Sequence, residues 1–180
     1  GSYECIGSNK YGQTNGGQPK FPSIEGIKYI QVSAGKFHTC ALMSNGGYEC
    51  IGLNNVGQTS GGKSKLPSKK EAKYVQVSAG MDHTCALTSE GWYECIGTNA
   101  YGKSNGGNSK SPSVKGVTYT QVVASQSYTC GLMSDGGYEC IGRDNFGQSN
   151  GRKPKYPSVR GVKYVQVSAL HEHTCALMSN

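Results

Sequence analysis

The sequence predicts an all-β protein built from four tandem copies of one 45-residue unit, 1–45, 46–90, 91–135 and 136–180, forming a single repeat domain over 1–180. Three observations predict it. First, Tyr3-Glu4-Cys5-Ile6-Gly7 returns as Tyr48-Glu49-Cys50-Ile51-Gly52, Tyr93-Glu94-Cys95-Ile96-Gly97 and Tyr138-Glu139-Cys140-Ile141-Gly142, always 45 residues on. A fixed period in this range marks an array whose units bury their apolar faces against one another. Second, segments such as Lys73-Tyr74-Val75-Gln76-Val77-Ser78-Ala79 alternate apolar and polar residues and carry β-branched side chains, the pattern of strands. Third, the chain holds 27 Gly and an apolar share of 35%, which suits short strands, tight turns and a thin core.

The second unit shows the elements in order. Lys73–Ala79 reads as one strand and Asp82–Thr88 as another; Ser89-Glu90-Gly91 is a turn, and Tyr93–Gly97 a third strand. The turn is clearest as Ser44-Asn45-Gly46 and Ser134-Asp135-Gly136, because Asn-Gly and Asp-Gly tolerate the positive φ of a hairpin. The rest of each unit is loop: 9–17, 54–62, 99–107 and 144–152, each followed by Lys-x-Pro-Ser, as in Lys20-Phe21-Pro22-Ser23 and Lys65-Leu66-Pro67-Ser68. Proline here fits an edge or an entry turn.

The eight cysteines fall two per unit, which points to a disulfide framework and hence a secreted protein. Cys40 and Cys50 lie symmetrically about Asn45, so the hairpin places them opposite each other; Cys85–Cys95 and Cys130–Cys140 follow by the same reasoning. Cys5 and Cys175 remain. If the array closes into a ring they pair and staple the two ends; in an open arc they stay free or bridge to another molecule. No Cys-x-x-Cys pair occurs, and no apolar run nears the roughly 20 residues of a membrane helix. Nor is there a signal-peptide pattern, so a secreted chain would be in mature or trimmed form here. A formal charge of +7 gives either a charged soluble surface or a face that attracts anionic glycans or acidic proteins. Nucleic acid is not expected as a partner, because disulfides place the chain in the wrong compartment.

Val32 to Leu42 running into Tyr48 to Gln58, and Val77 to Leu87 running into Tyr93 to Gly102, resemble the repeat of the regulator of chromosome condensation family, which the β-lactamase-inhibitory propeller proteins also carry. The resemblance extends over all four units. It implies a β-propeller and a function in binding proteins, nucleosomes or small GTPases through loops on one face. The sequence departs from the family in three ways. It has four units where seven blades are usual. Ile6, Ile51, Ile96 and Ile141 replace a tryptophan, and Tyr128 replaces the histidine of the other units. The expected architecture is therefore a closed four-bladed ring, a half-ring completed by dimerisation, or a truncated array.

Candidate sites follow from what repeats and what varies. His38, His83 and His173 precede Thr-Cys and are read as strand histidines bonding to backbone between blades, not as a metal ring, since Tyr128 breaks the set. Glu4, Glu49, Glu94 and Glu139 are read as one ion pair or backbone bond per blade, with Lys20, Lys65, Lys110 and Lys155 as partners, in preference to a cation-binding ring. Gln31, Gln76, Gln121 and Gln166 are read as amides satisfying backbone groups between blades. No hydrolytic, redox or nucleotide-binding constellation appears, so neither an enzyme nor a cofactor or metal is expected.

The loops differ little between units, which favours several copies of one small epitope. The first expectation is thus a secreted, multivalent, lectin-like protein that binds a glycan or glycoconjugate. Tyr11, Tyr101 and Phe146 would stack on the sugar, and Asn9, Asn54, Asn99, Asp144, Gln13, Gln58 and Gln148 would hydrogen-bond to it. The alternative is a protein-binding inhibitor or adaptor whose contacts are the variable pairs Lys36-Phe37, Met81-Asp82, Gln126-Ser127 and His171-Glu172, together with Trp92. A structural matrix component is a third reading.

Overall fold

The computed structural model describes residues 1–180 in full. It contains β1 (Tyr29–Ala34), β2 (His38–Met43), β3 (Tyr48–Gly52), β4 (Tyr74–Ala79), β5 (His83–Thr88), β6 (Tyr93–Gly97), β7 (Tyr119–Ala124), β8 (Tyr128–Met133), β9 (Tyr138–Gly142), β10 (Tyr164–Leu170) and β11 (His173–Met178). Three antiparallel sheets have the order β1-β2-β3, β4-β5-β6 and β7-β8-β9, and β10-β11 form a two-stranded fourth. A short outer bridge widens each of the three: Tyr48 pairs with Lys65, Tyr93 with Lys110 and Tyr138 with Lys155. Each blade is offset from the sequence unit, taking two strands from one unit and the third from the next.

The hairpins form as their turn residues require. Gly46 and Gly136 have φ of +86° and +94°, and Asn45 Oδ1 accepts a hydrogen bond from the Gly47 N–H at 3.0 Å. Cys40 therefore faces Cys50, Cys85 faces Cys95 and Cys130 faces Cys140. All three pairs are disulfides with Cα atoms 4.0 Å apart, the close approach of a non-hydrogen-bonded pair.

The apolar core lies between blades. Leu42, Tyr48 and the Cys40–Cys50 bridge of one blade pack on Tyr74, Val77 and Ala79 of the next, and the same set recurs at the two following steps. Tyr48 and Tyr74 meet at 5.3 Å between ring centroids, Tyr93 and Tyr119 at 5.0 Å. The middle strands β2, β5 and β8 are buried at all six positions. Fully burying side chains of this kind contributes about 1.5–3 kcal/mol each. Blade-to-blade packing, not any single sheet, is thus the main apolar support.

Two expectations fail at the ends. The blades do not close into a four-bladed ring, and Cys5 and Cys175 are both free, the first half-buried and the second exposed. The angle between blades is set by the side chains packed at each identical step, and these steps leave an open arc. Without a ladder partner, Tyr3–Gly7 is not a strand; only Tyr3 bridges, to Lys20. At the other end β11 is mostly exposed, unlike the equivalent β2, β5 and β8.

Candidate functional site

Antiparallel pairing brings two sets of loops to one end of the arc. His38 at the start of β2 faces Gly52 at the end of β3, so the β1–β2 loop and the loop after β3 emerge side by side. The Leu53 N–H bonds to the Phe37 carbonyl at 2.9 Å; Thr98 bonds to Asp82 and Arg143 to Ser127 in the same way. The variable pairs Lys36-Phe37, Met81-Asp82, Gln126-Ser127 and His171-Glu172 therefore share a face with the long repeated loops. Gly35, Lys36, Gly80, Met81, Gln126 and His171 surround a depression of about 340 Å³ at the axis of the arc. Trp92 is not on this face. It sits at the opposite end, 5% exposed, with the Lys69 ammonium 5.1 Å from its ring.

The repeated polar loop residues are occupied within their own loops. Oδ1 of Asn9, Asn54, Asn99 and Asp144 accepts from the backbone N–H of Thr14, Thr59, Ser104 and Ser149 at 2.7–3.0 Å. Oε1 of Gln13, Gln58 and Gln148 accepts from the N–H of Tyr11, Val56 and Phe146 at 2.9–3.1 Å. Gln58 and Gln148 are buried. Hydrogen bonds from Ser149 and Gly151 outweigh the upward push of desolvation on Asp144 and hold its carboxyl below the usual range. These side chains tie turns whose Asn15, Ser60, Asn105 and Asn150 have φ of 51–54°.

Aromatic and cationic side chains project at the loop tips. Tyr101 and Phe146 are 57% and 61% exposed, and the Arg143 guanidinium lies 5.8 Å from the centroid of each ring. Arg152 donates to the Tyr101 carbonyl at 3.2 Å. At the other end of the arc, Tyr11 meets Phe37 edge-on at 5.4 Å, with Lys10 over the first ring and Lys36 over the second. Val56 takes the aromatic position in the intervening loop and is exposed.

Beneath the face, two repeated locks join the blades. His38 Nε2 meets Thr84 Oγ1 at 2.7 Å, and that hydroxyl donates to the Gln58 carbonyl at 2.8 Å; His83, Thr129 and Lys103 repeat the chain. Burial, with repulsion from His83 added, pushes His38 down to about 4, so its imidazole is neutral at pH 7. His38 and His83 thus bond between blades as the sequence reading expects, but to a threonine hydroxyl and not to backbone, and His173 is exposed and its ring makes no such bond. At the third step Tyr128 replaces histidine and its hydroxyl donates to the His173 carbonyl. Gln31 Oε1 accepts from the Val77 N–H, Gln76 from Val122 and Gln121 from Val167, at 2.8–2.9 Å.

The second lock is Glu49, Glu94 and Glu139, each deeply buried. Glu49 accepts from the Ser23 hydroxyl and the Tyr29 hydroxyl; Glu94 accepts from Ser68 and Tyr74, and Glu139 from Ser113 and Tyr119. Desolvation pushes the Glu94 carboxyl up, but hydrogen bonds from Ser68, Tyr74 and Ser109 prevail and lower it. A lysine joins only at Glu139, through Lys110 at 3.0 Å. The expected backbone bond is present in each blade, from the N–H of Ser23, Ser68 and Ser113, whereas the expected ion pair forms at Glu139 alone and Ser and Tyr hydroxyls complete the other two, because the Lys-x-Pro-Ser turn brings its serine to the carboxylate.

Two residues on the face were not among the sequence candidates. Lys103 stands where Gln13, Gln58 and Gln148 stand in the other units; it is buried, paired with Asp82, and donates to the Gln126 carbonyl at 2.9 Å. Arg143 replaces Ser8, Leu53 and Thr98. The signal in both cases is a charged residue at a repeat position that is otherwise neutral.

With alternating blades, a shared loop face and interblade locks, the molecule is of the β-propeller class, present as an open arc. Residues 29–58, covering the first blade and the loop after it, match the family model of the regulator of chromosome condensation (RCC1) repeat. The resemblance seen in the sequence is borne out: residues 29–58 match the repeat, and the chain has the fold of RCC1-like propellers. No curated protein is significantly similar in sequence. Among solved structures, human WBSCR16 superposes with a TM-score of 0.78 at 21% identity, covering 97% of this chain and 53% of that one. Prp20p from Saccharomyces cerevisiae, reported with its binding properties to Gsp1p and histones, gives 0.72 at 21% identity, covering 96% and 50%. The ectodomain of the Arabidopsis thaliana receptor kinase ACR4 gives 0.71 at 22%, covering 98% and 56%. The chain spans about half the length of the solved structures it matches.

Proposed function

We propose that the chain is a non-enzymatic, protein-binding module that engages an acidic partner through its loop face, in an oxidising, extracellular setting. One observation carries this reading: the polar side chains of the loops are consumed by the loops, while the groups presented outward are aromatic and cationic. Tyr, Trp and Arg dominate protein-binding hot spots, and a Tyr101–Arg143–Phe146 cluster at the rim is of that kind. Lys10, Lys36, Arg143 and Arg152 supply positive charge, whereas Asp82 and Asp144 are held by Lys103 and by backbone N–H groups, leaving Glu172 as the exposed acid among the variable pairs. A ring of sugar-binding amides is less well supported, because the same amides close the turns. The three hairpin disulfides support the oxidising setting. That Prp20p binds Gsp1p and histones, and that ACR4 presents a related ectodomain, agree with recognition as the role of the fold.

The test sets an acidic-peptide array beside a glycan array, each read at low and raised salt, with wild type and Tyr101→Ala, Arg143→Ala and Phe146→Ala. The proposal expects selective peptide binding that persists in salt and drops at least tenfold in the variants. A second reading, the multivalent lectin, draws on the recurrence of Tyr11, Tyr101 and Phe146 at one loop position; a defined, salt-resistant sugar hit lost in the same variants would establish it and displace the first.

A further inference from the structure

On the outer side of the second blade a groove of about 490 Å³ lies between β6, the loop that follows it and the 65–68 turn of the preceding blade. Its size is that of a small-molecule site. Cys85 and Cys95 form a non-hydrogen-bonded pair, so the backbone groups of Cys95 and Gly97 point away from β5, toward the groove. The outer bridge has ended there: Tyr93 pairs with Lys110, but no loop group bonds to Cys95 or to the Gly97 carbonyl. Glu94 forms the floor, 6% exposed and saturated by the N–H and hydroxyl of Ser68 and the hydroxyls of Tyr74 and Ser109. The two serines spend their protons on it and keep their lone pairs as acceptors. Across the groove, Asn99 Oδ1 is held by Ser104, which fixes its amide with Nδ2 beside Gly106. Nδ2 of Asn99 and of Asn108 lie 3.6 and 3.7 Å from where a Cβ on Gly106 would stand.

In the third blade the chain fills the same space itself. Arg152, at the position of Gly107, sets its guanidinium on the Gly142 carbonyl, the counterpart of Gly97, at 3.2–3.3 Å. Asp144, at the position of Asn99, accepts from the Gly151 N–H at 2.7 Å through Oδ2. Lys110, at the position of Lys65, bonds to Glu139 and Tyr119. The second blade releases all three: Gly107 has no side chain, the Gly106 N–H faces no carboxylate, and the Lys65 ammonium makes no such bond. We propose that this groove binds a sugar unit carrying a carboxylate, a hexuronate. Its carboxylate takes the place that Asp144 Oδ2 takes in the third blade, accepting from the Gly106 N–H and Asn99 Nδ2, with Lys65 as countercharge. Its ring hydroxyls, which donate and accept alike, meet the Cys95 N–H, the Cys95 and Gly97 carbonyls and the serine oxygens. A bare anion satisfies only the donors of these walls, and an apolar side chain satisfies none of them. The groove shares no residue with the Tyr101, Arg143 and Phe146 cluster, and it is one site, not one per repeat. The inference is therefore independent of the partner on the loop face.

The test titrates ¹⁵N-labelled, oxidised protein with sodium glucuronate, sodium galacturonate, an oligogalacturonate, glucose and sodium acetate, and follows the backbone amide shifts. The expected result is a saturable shift of the Cys95 and Gly106 amides by a uronate, with glucose and acetate at least tenfold weaker. Tighter binding of the oligomer identifies a polymer as the source of the unit; equal binding identifies the free sugar acid. Gly107→Arg installs the plug of the third blade and Asn99→Asp its carboxylate. Both side chains already occur at these repeat positions, as Arg152 with φ of +60° and as Asp144, so each variant retains the fold, which thermal melting checks. Each weakens uronate binding at least tenfold. Acetate matching the uronates would reduce the groove to an anion site and overturn the inference. Glucose matching them would do so by removing the role of the carboxylate. Shifts unchanged in both variants would put the sugar elsewhere, and no saturable shift with any uronate would leave the groove without its ligand; either result overturns it.

Discussion

Thr84→Val isolates the worth of one interblade lock. Thr84 is fully buried; its hydroxyl meets His38 Nε2 at 2.7 Å and donates to the Gln58 carbonyl at 2.8 Å. Valine keeps the shape and the strand preference but strands both partners in a dry interface, where each buried group left unpaired costs about 1–3 kcal/mol. His38 is hit hardest, because its Nδ1 already has no partner. The added methyl returns less than about 1 kcal/mol. The net expectation is a loss of roughly 2–4 kcal/mol. Urea unfolding of the oxidised protein, followed by circular dichroism, measures it. Thr39→Val is the internal control: Thr39 donates to the Gln13 carbonyl at 2.9 Å but meets no histidine within the chain, so its loss is about half as large. If Thr84→Val stays within about 0.5 kcal/mol of wild type, or costs no more than Thr39→Val, the lock does not hold the blades together.

Other consequences are open to measurement. His38 is neutral when folded, at about 4, against its usual value of 6.5, so the unfolded chain binds the extra proton between those values. Stability should therefore fall as pH drops from about 6.5 to 4, by roughly 3 kcal/mol from this residue, and His38→Gln should flatten that limb of a pH–urea map. Glu94→Ala removes the acceptor of Ser68 and Tyr74 and is expected to cost about 2–4 kcal/mol by the same urea assay. The lowered carboxyl means that this lock is intact above the unfolded carboxylate range and is lost as acid titrates through the folded value. Asn54→Ala, which frees the Thr59 N–H, should lower the melting temperature with a cost of about 1 kcal/mol and leave ligand binding unchanged. Arg143→Ala should do the reverse, weakening binding at least tenfold with little change in melting.

The local structure was legible in the sequence wherever it depends on neighbours a few residues apart. Asn45-Gly46 fixes a turn, the turn fixes the opposition of Cys40 and Cys50, and the bridge follows. The role of His38 was legible too, since a strand histidine without a nearby ligand set has few uses beyond bonding a neighbour. Ring closure was not legible, because the angle between blades depends on how Tyr48 packs on Tyr74 and Leu42 on Val77, and no short pattern encodes an angle. Repetition also misled. Asn9, Asn54 and Asn99 recur because every unit needs the same turn tied, whereas the outward groups at Arg143 and Tyr101 were marked by breaking a repeat or by lying at an open tip. The glutamates illustrate a subtler gap: one bond per blade was legible from their repetition, but the part played by the Ser and Tyr hydroxyls required the path of the Lys-x-Pro-Ser turn.

Each hairpin bridge spans 10 residues and lies inside one blade, although it crosses the boundary between two sequence units. An array so stapled can gain or lose whole 45-residue segments by duplication or deletion without stranding an internal thiol, since every segment brings or removes one cysteine on each side of the cut. The covalent framework therefore imposes no fixed number of blades, and the length of such proteins is free to drift over evolutionary time while each surviving blade folds with the partners it always had.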